Sequence, residues 1–210
     1  MEYKIEQVMP ADIEKRSFEI ITEELGDKKL IPGTELIVKR CIHTSADFDY
    51  ADSLCFSPGV VEKAKEAIRS GADIVTDTHM AMAGINKKRL AAFGGEVHCF
   101  MSDEDVALRA RKEGCTRAVT SMDKAVDTHT AKPLIFAIGN APTALIHLKK
   151  LIDEGRIKPA LIIGVPVGFV NVVPAKEMIM ETEIPYIVAR GRKGGSNIAA
   201  CIVNALLYSM

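Results

Sequence analysis

Short apolar runs bounded by turn residues alternate along this chain with longer stretches whose apolar positions repeat every three or four residues. The runs ADIVTDT (72–78), EVHCF (96–100), PLIFAIG (133–139), PALIIGV (159–165) and PYIVARG (185–191) read as strands. Between them lie helical patterns with recognisable ends. The clearest covers residues 58–70, with Ser57 as cap, Pro58 at the first helical position, Val60, Val61, Ala64, Ala67 and Ile68 as a buried stripe, and Gly71 as the stop. Two further helices precede the first strand. One covers residues 11–25, with Phe18, Ile21 and Leu25 as its stripe; the other follows the Pro32-Gly33 break, with Thr34 as cap and Ile37, Val38, Cys41 and Ile42 on one face. Strands alternating with helices predict a three-layer α/β fold in which a five-stranded parallel sheet is covered on both faces. No repeat, low-complexity tract or long linker divides the chain, so residues 1–210 read as a single domain.

Composition narrows the function classes. Of 210 residues, 48% are hydrophobic, enough for one sizeable core. The formal net charge of −1 disfavours a nucleic-acid partner recognised through a broad basic field. No apolar run approaches a membrane span, and MEYKIEQVMP lacks the basic-then-apolar order of a signal peptide, so the expected location is cytoplasmic. The cysteines at 41, 55, 99, 115 and 201 form no CxxC pair and read as reduced thiols. The histidines at 43, 79, 98, 129 and 147 form no HxxxH or HExxH pattern, and no metal site is expected.

Ligands of open parallel sheets bind outside the carboxyl ends of the strands, and three of the strand continuations are glycine-rich: IGNAPTAL (138–145), GVPVGFV (164–170) and RGRKGGSN (190–197). Glycine admits close backbone approach, and helices starting after Asn140 and after Gly195 would aim free amides at an anion, with Arg190, Arg192 and Lys193 nearby. Each loop taken alone reads equally as a tight strand-to-helix connection. GxGxxG after the first strand and GxxxxGK[ST] are both missing, so a nucleotide reading rests on fold habit alone.

A second candidate centre lies in IVKRCIHTSADFD (37–49). At helical spacing Leu36, Arg40 and His43 share a face beside the buried stripe, so Arg40 and His43 can reach one ligand. His43 stands in the last turn, followed by Asp47 and Asp49. There it reads either as a cap on the carbonyls of its own helix or as a positioned proton donor.

IHTSADFD, IGNAPTAL, PALIIGVPVGFV followed by AKE, and RGRKGGS with NAL downstream resemble the successive motifs of the precorrin-8X methylmutase family of cobalamin biosynthesis. The likeness runs from the first helix to the C-terminus. It implies an isomerase that moves a methyl group from C11 to C12 of a corrin precursor, giving hydrogenobyrinate or its cobalt form, cobyrinate. It also implies a flavodoxin-like fold, a homodimer, a tetrapyrrole substrate and no external cofactor, any cobalt being carried by the substrate. The family's acid/base histidine matches His43, its substrate-contacting serine and arginine match Ser17 and Arg40, and a further arginine matches Arg117 in CTRAV. His79, in THMAMAGI, departs from the family pattern and has no implied role.

The chemistry of the residues agrees. A corrin precursor is a broad apolar macrocycle rimmed with carboxylates, which calls for apolar walls with scattered cationic and amide donors. Arg40, Arg117, Arg190, Arg192, Asn140 and the glycine-loop amides are such a set. Shifting a methyl between ring carbons needs the conjugated electrons polarised, and one positioned acid contributes roughly 10² to 10⁴ in rate. His43 then reads as the donor and Arg40 as a carboxylate clamp, with Ser17 just off the stripe of its helix. Two other classes fit the same sequence: a nucleotide-dependent α/β enzyme and a non-catalytic corrinoid carrier.

Overall fold

The computed structural model describes Tyr3, residues 5–129 and residues 131–210. After a 3₁₀ turn at Pro10–Asp12 the chain forms α1 (Ile13–Leu25), α2 (Glu35–Ser45), α3 (Tyr50–Ser53), β1 (Leu54–Phe56), α4 (Val60–Arg69) and β2 (Asp73–Thr76). Then come α5 (His79–Gly84), α6 (Lys87–Ala91), β3 (Val97–His98), α7 (Glu104–Glu113), α8 (Arg117–Asp127) and β4 (Leu134–Ile138). The last third is α9 (Pro142–Asp153), β5 (Leu161–Gly164), α10 (Val172–Met180), β6 (Tyr186–Ala189) and α11 (Ser196–Tyr208).

The five predicted strands are present, each trimmed at its ends, and all are parallel. The sheet nevertheless has six strands, in the order β1-β6-β5-β4-β2-β3, because β1 pairs antiparallel with β6, Leu54 opposite Ala189 and Phe56 opposite Ile187. The five-stranded, all-parallel expectation is corrected on this point. A three-residue edge strand stopped by Ser57-Pro58 is too short to show a period of two.

Side chains alternate across the sheet and divide the core in two. Ile74, Ile135, Ile163 and Ile187 pack with α2, α4 and α11, while Val75, Phe136, Ile162 and Val188 pack with α8, α9 and α10. The predicted stripes of α2 and α4 are buried as expected. Their caps differ. Thr34 Oγ1 donates to Ile31 O at 2.7 Å, and Ser57 Oγ accepts the Tyr186 amide at 2.9 Å, joining α4's approach to the sheet edge. Gly59 in the left-handed region, φ 68°, starts α4 instead, so the helix begins at Val60 rather than Pro58.

The carboxyl edge of the sheet is built around Asp77. The chain reverses its direction of travel across the sheet between β2 and β4, and Asp77 follows β2 at that crevice. Its Oδ1 accepts the Gly139 amide at 2.8 Å, and its Oδ2 accepts those of Asn140 at 2.8 Å and Ala141 at 2.6 Å. The carboxyl is fully buried, and that burial outweighs the three amides and raises its pKa. Around it the glycine-rich connections press on each other. A Cβ on Gly139 would lie 2.7 Å from Ser196 Cα, one on Gly194 would lie 2.0 Å from Val165 O, and Thr78 Oγ1 meets Ser196 Oγ at 2.7 Å.

Asp77→Ala removes one acceptor shared by three interior amides. At roughly 1 kcal/mol or more for each donor left unmade, it is expected to lower unfolding free energy by about 3 kcal/mol or more. Urea denaturation checks this, and a loss below about 1 kcal/mol would contradict the role given to the carboxylate.

Candidate active site

Ser17, Arg40 and His43 come together where α1 crosses α2. The stripe of α2 turns inward, which leaves Arg40 half-buried and His43 exposed on the side facing α1. Phe18 stands between them. Its ring centroid is 5.5 Å from the Arg40 guanidinium carbon and 5.5 Å from the His43 ring, tilted by 45°. Arg40 also lies 4.7 Å over the Tyr208 ring and donates from its terminal nitrogen to Glu14 Oε1 at 2.6 Å, while its Nε is buried without a hydrogen-bond partner. Ser17 Oγ donates to Ile13 O at 2.9 Å and, with His43, Ile20, Ile42 and Phe48, lines an open concavity of about 240 Å³. Arg40 lines a neighbouring one of about 340 Å³ with Thr44, Met80, Asn197, Cys201 and Tyr208. A hydrogen bond with Cys41, foremost among the causes, lowers the pKa of the Cys201 thiol.

The end of α2 is already capped. Ala46, at φ 54° in the left-handed region, donates its amide to Ile42 O at 2.7 Å, and Ser45 Oγ donates to Cys41 O at 2.7 Å. The His43 ring makes no hydrogen bond with any of the described residues. Its ring is therefore not the cap that its position in the last turn suggests. Beyond the helix, Lys193 reaches both Asp47, at 2.6 Å, and Asp49, tying the α2 terminus to the loop after β6. These contacts push Lys193 up to about 12, and its hydrogen bond holds Asp47 below the usual carboxylate range.

The other candidates lie along the carboxyl edge. Asn140 is exposed where the chain turns from β4 into α9. Arg117 opens α8, and the adjacent Thr116 Oγ1 meets Thr143 Oγ1 at 3.0 Å, so α8 and α9 start side by side. Arg190 is held by Glu177 through two bonds of 2.9 and 3.1 Å, and Arg192 stacks 5.4 Å from Phe169, whose ring is 80% exposed. Among the described residues no hydrogen bond, ion pair or ring contact joins Ser17, Arg40 or His43 to Asn140, Arg117, Arg190 or Arg192. His79 opens α5 on the same edge, its Nε2 2.7 Å from Ser102 Oγ.

Of the two helix starts expected to receive an anion, that of α9 already holds one: Asp77 takes the amides that a phosphate would use. The sequence reading missed this carboxylate, whose only signal is an acid closing an apolar strand run, ADIVTDT. It also missed Glu14 and Tyr208, the partners of Arg40. A wider concavity, about 770 Å³, opens at the opposite edge of the sheet among Lys149, Arg156, Lys158 and Glu181, away from every candidate. No group of three metal-binding side chains occurs among the described residues.

Comparison with known proteins places this geometry in a family. The family model described as precorrin-8X methylmutase matches residues 12–209. The chain is similar to the cobalt-precorrin-8 methylmutase of Priestia megaterium, 45% identical over 98% of this chain and 90% of the relative. With that of Salmonella typhimurium it shares 44% identity over 96% of each chain. A solved structure of precorrin-8x methyl mutase from Thermus thermophilus superposes with a TM-score of 0.85, at 39% identity over 94% of this chain and 96% of the other. With the fold, the motifs and the matches in agreement over nearly the whole length, the chain belongs to the precorrin-8X methylmutase family.

Proposed function

We propose that the protein is an isomerase that converts precorrin-8 or cobalt-precorrin-8 by moving a methyl group from C11 to C12 of the macrocycle, with His43 as the acid/base. The observation that carries the role of His43 is its ring: it stands free of hydrogen bonds at a helix end closed by other groups, within ring-contact distance of the wall it shares with Arg40. Protonation of the conjugated system near C11 by His43 draws electron density from the migrating centre, and the proton returns to the ring of His43 once the methyl has settled on C12. Phe18, Ile20 and Phe48 supply apolar surface for the macrocycle.

Arg40 clamps a peripheral carboxylate by exchanging the exposed Glu14 for it. Ser17 offers a hydroxyl beside His43. Arg117, Asn140, Arg190 and Arg192 serve the remaining carboxylates and amides of the substrate. The reaction needs no external cofactor, and cobalt, where present, travels in the substrate.

In this reading the working unit is a homodimer on a flavodoxin-like sheet in the cytoplasm. Ile13, Ile20 and Met80, exposed around Arg40 and His43, give a second copy an apolar surface to cover. No helix among the described residues is long and apolar enough to cross a membrane. A nucleotide-dependent reaction is disfavoured by Asp77 filling the start of α9.

Incubating the protein with precorrin-8, with and without cobalt, is expected to give the absorption spectrum of the rearranged corrinoid. Tight nucleotide binding without corrinoid binding would refute the proposal, and corrinoid binding without conversion would make the protein a carrier. Arg40→Ala is expected to weaken corrinoid binding by about tenfold or more while slowing conversion of the bound complex much less, since a contact remote from the migrating methyl acts on ground and transition states alike. Unchanged affinity in a titration counts against the clamp. Light scattering is expected to report a dimer, and a monomer would contradict that part of the reading.

A further inference from the structure

Lys176, in the AKE segment of α10, is the one fully buried lysine among the described residues. Its helix packs on β5 and β6. Its Nζ donates to Gly191 O and to Lys193 O, both at 2.8 Å. Neither acceptor is a carboxylate, and no salt bridge reaches this ammonium. A charge buried without a counter-ion is unfavourable to folding, and an apolar side chain of similar volume would fill the space with less penalty. What the ammonium does accomplish is local: it fastens two carbonyls of the loop between β6 and α11, and that loop carries Arg190, Arg192 and Lys193.

The loop's other anchors begin at its first residue, where the Arg190 amide donates to Ser53 O at 2.7 Å and the side chain bonds Glu177. Gly195 donates its amide to Val165 O at 2.9 Å, Gly168 donates to Arg192 O at 3.2 Å, and Gly191, Gly194 and Gly195 all have positive φ, so the backbone has little intrinsic preference for this path. Lys193 in turn grips Asp47 and Asp49 beyond His43. A chain of direct contacts therefore runs from Lys176 through the loop to the end of the helix that carries the acid.

We propose that Lys176 is a positioning residue for the reaction: its ammonium fixes the Gly191–Lys193 backbone so that Arg192 and Lys193 hold their places at the carboxyl edge, where the substrate's carboxylates bind. The assignment rests on the corrinoid reading above. Two effects make the charged form the effective one. Charge-assisted bonds are roughly twice as strong as neutral ones, and a positive centre beneath the loop adds to the field that attracts carboxylates.

Burial alone lowers Lys176 to about 8. The ammonium is thus held below that pH and is lost as pH rises through it, so corrinoid affinity should fall in the same direction. Most other ionisable groups on the surrounding elements are engaged elsewhere. On α10, Glu177 holds Arg190. In the loop, Arg192 lies over Phe169 and Lys193 is held by its two aspartates. On α9, His147 bonds Asp123, Lys149 bonds Asp153 and Lys150 faces Glu154. β5 carries no titratable side chain, and β6 carries Tyr186 alone.

The test compares the parent with Lys176→Met, which fills the site without charge or donors, and Lys176→Gln, which keeps neutral N–H donors. Corrinoid affinity and turnover are measured from pH 6.5 to 9.5, and hydrogen exchange is followed in the segments holding Gly168 and Gly195. The parent is expected to lose affinity on the order of tenfold as pH rises through 8. Both variants are expected to bind about tenfold more weakly at pH 7, without the parent's loss of affinity around pH 8, with a raised KM and a kcat within about threefold of the parent, and to exchange the two loop segments faster. Variants that keep the parent's affinity and its pH profile would overturn the proposal. So would parental exchange rates in Lys176→Met, a result readable even if no form of the protein bound corrinoid, which would instead overturn the functional reading.

Discussion

A carboxylate sealed from water must find its donors inside the protein, and Asp77 finds three in one turn of backbone. The rest of the carboxyl edge follows from that constraint. The crevice between β2 and β4, where an open α/β sheet ordinarily receives its ligand, is occupied by the protein's own anion, and the amides of the turn into α9 point inward to meet it. Gly139 is required because the turn lies against the start of α11, and Thr78, next to Asp77, bonds Ser196 there. The glycine-rich loops are therefore tight joints that set side chains along the rim, rather than cradles for phosphate.

With the crevice filled, the proposed chemistry is assigned outward, to the face of α2. The helix is anchored by its buried stripe against α11, so Arg40 and His43 inherit a rigid base. Besides its pairing with Glu14, Arg40 is flanked by the rings of Tyr208 and Phe18, contacts each worth on the order of 1 kcal/mol. His43 keeps its ring free because Ala46 and Ser45 cap the helix in its stead. Lys193 links this helix end to the β6–α11 loop, so the two groups of candidate residues are coupled through backbone and ion pairs without touching directly.

Much of this was legible in the sequence because burial on both faces leaves parallel strands as apolar runs, and because the spacing of Arg40 and His43 fixes their shared face whatever the tertiary structure. What escaped depends on partners distant in the chain. β1 is visible only through its pairing with β6, and Ser57 looked like a cap until its hydroxyl met the amide of Tyr186. Thr34 bonds a carbonyl behind it instead of the amides ahead. Asp77 is an ordinary acid at the end of a strand until the turn at Gly139 folds over it. Lys176, placed in a helix of unremarkable pattern, gives no sign in the sequence that its charge is buried.

The central claim is that His43 moves a proton rather than closing its helix, and one preparation of His43→Ala tests it most directly. Thermal unfolding is followed beside single-turnover absorption of the bound corrinoid. A proton-donor role for His43 predicts a variant that melts like the parent and binds corrinoid, while methyl migration slows by about 10² or more. A variant that melts earlier yet converts bound substrate at the parent rate would contradict it.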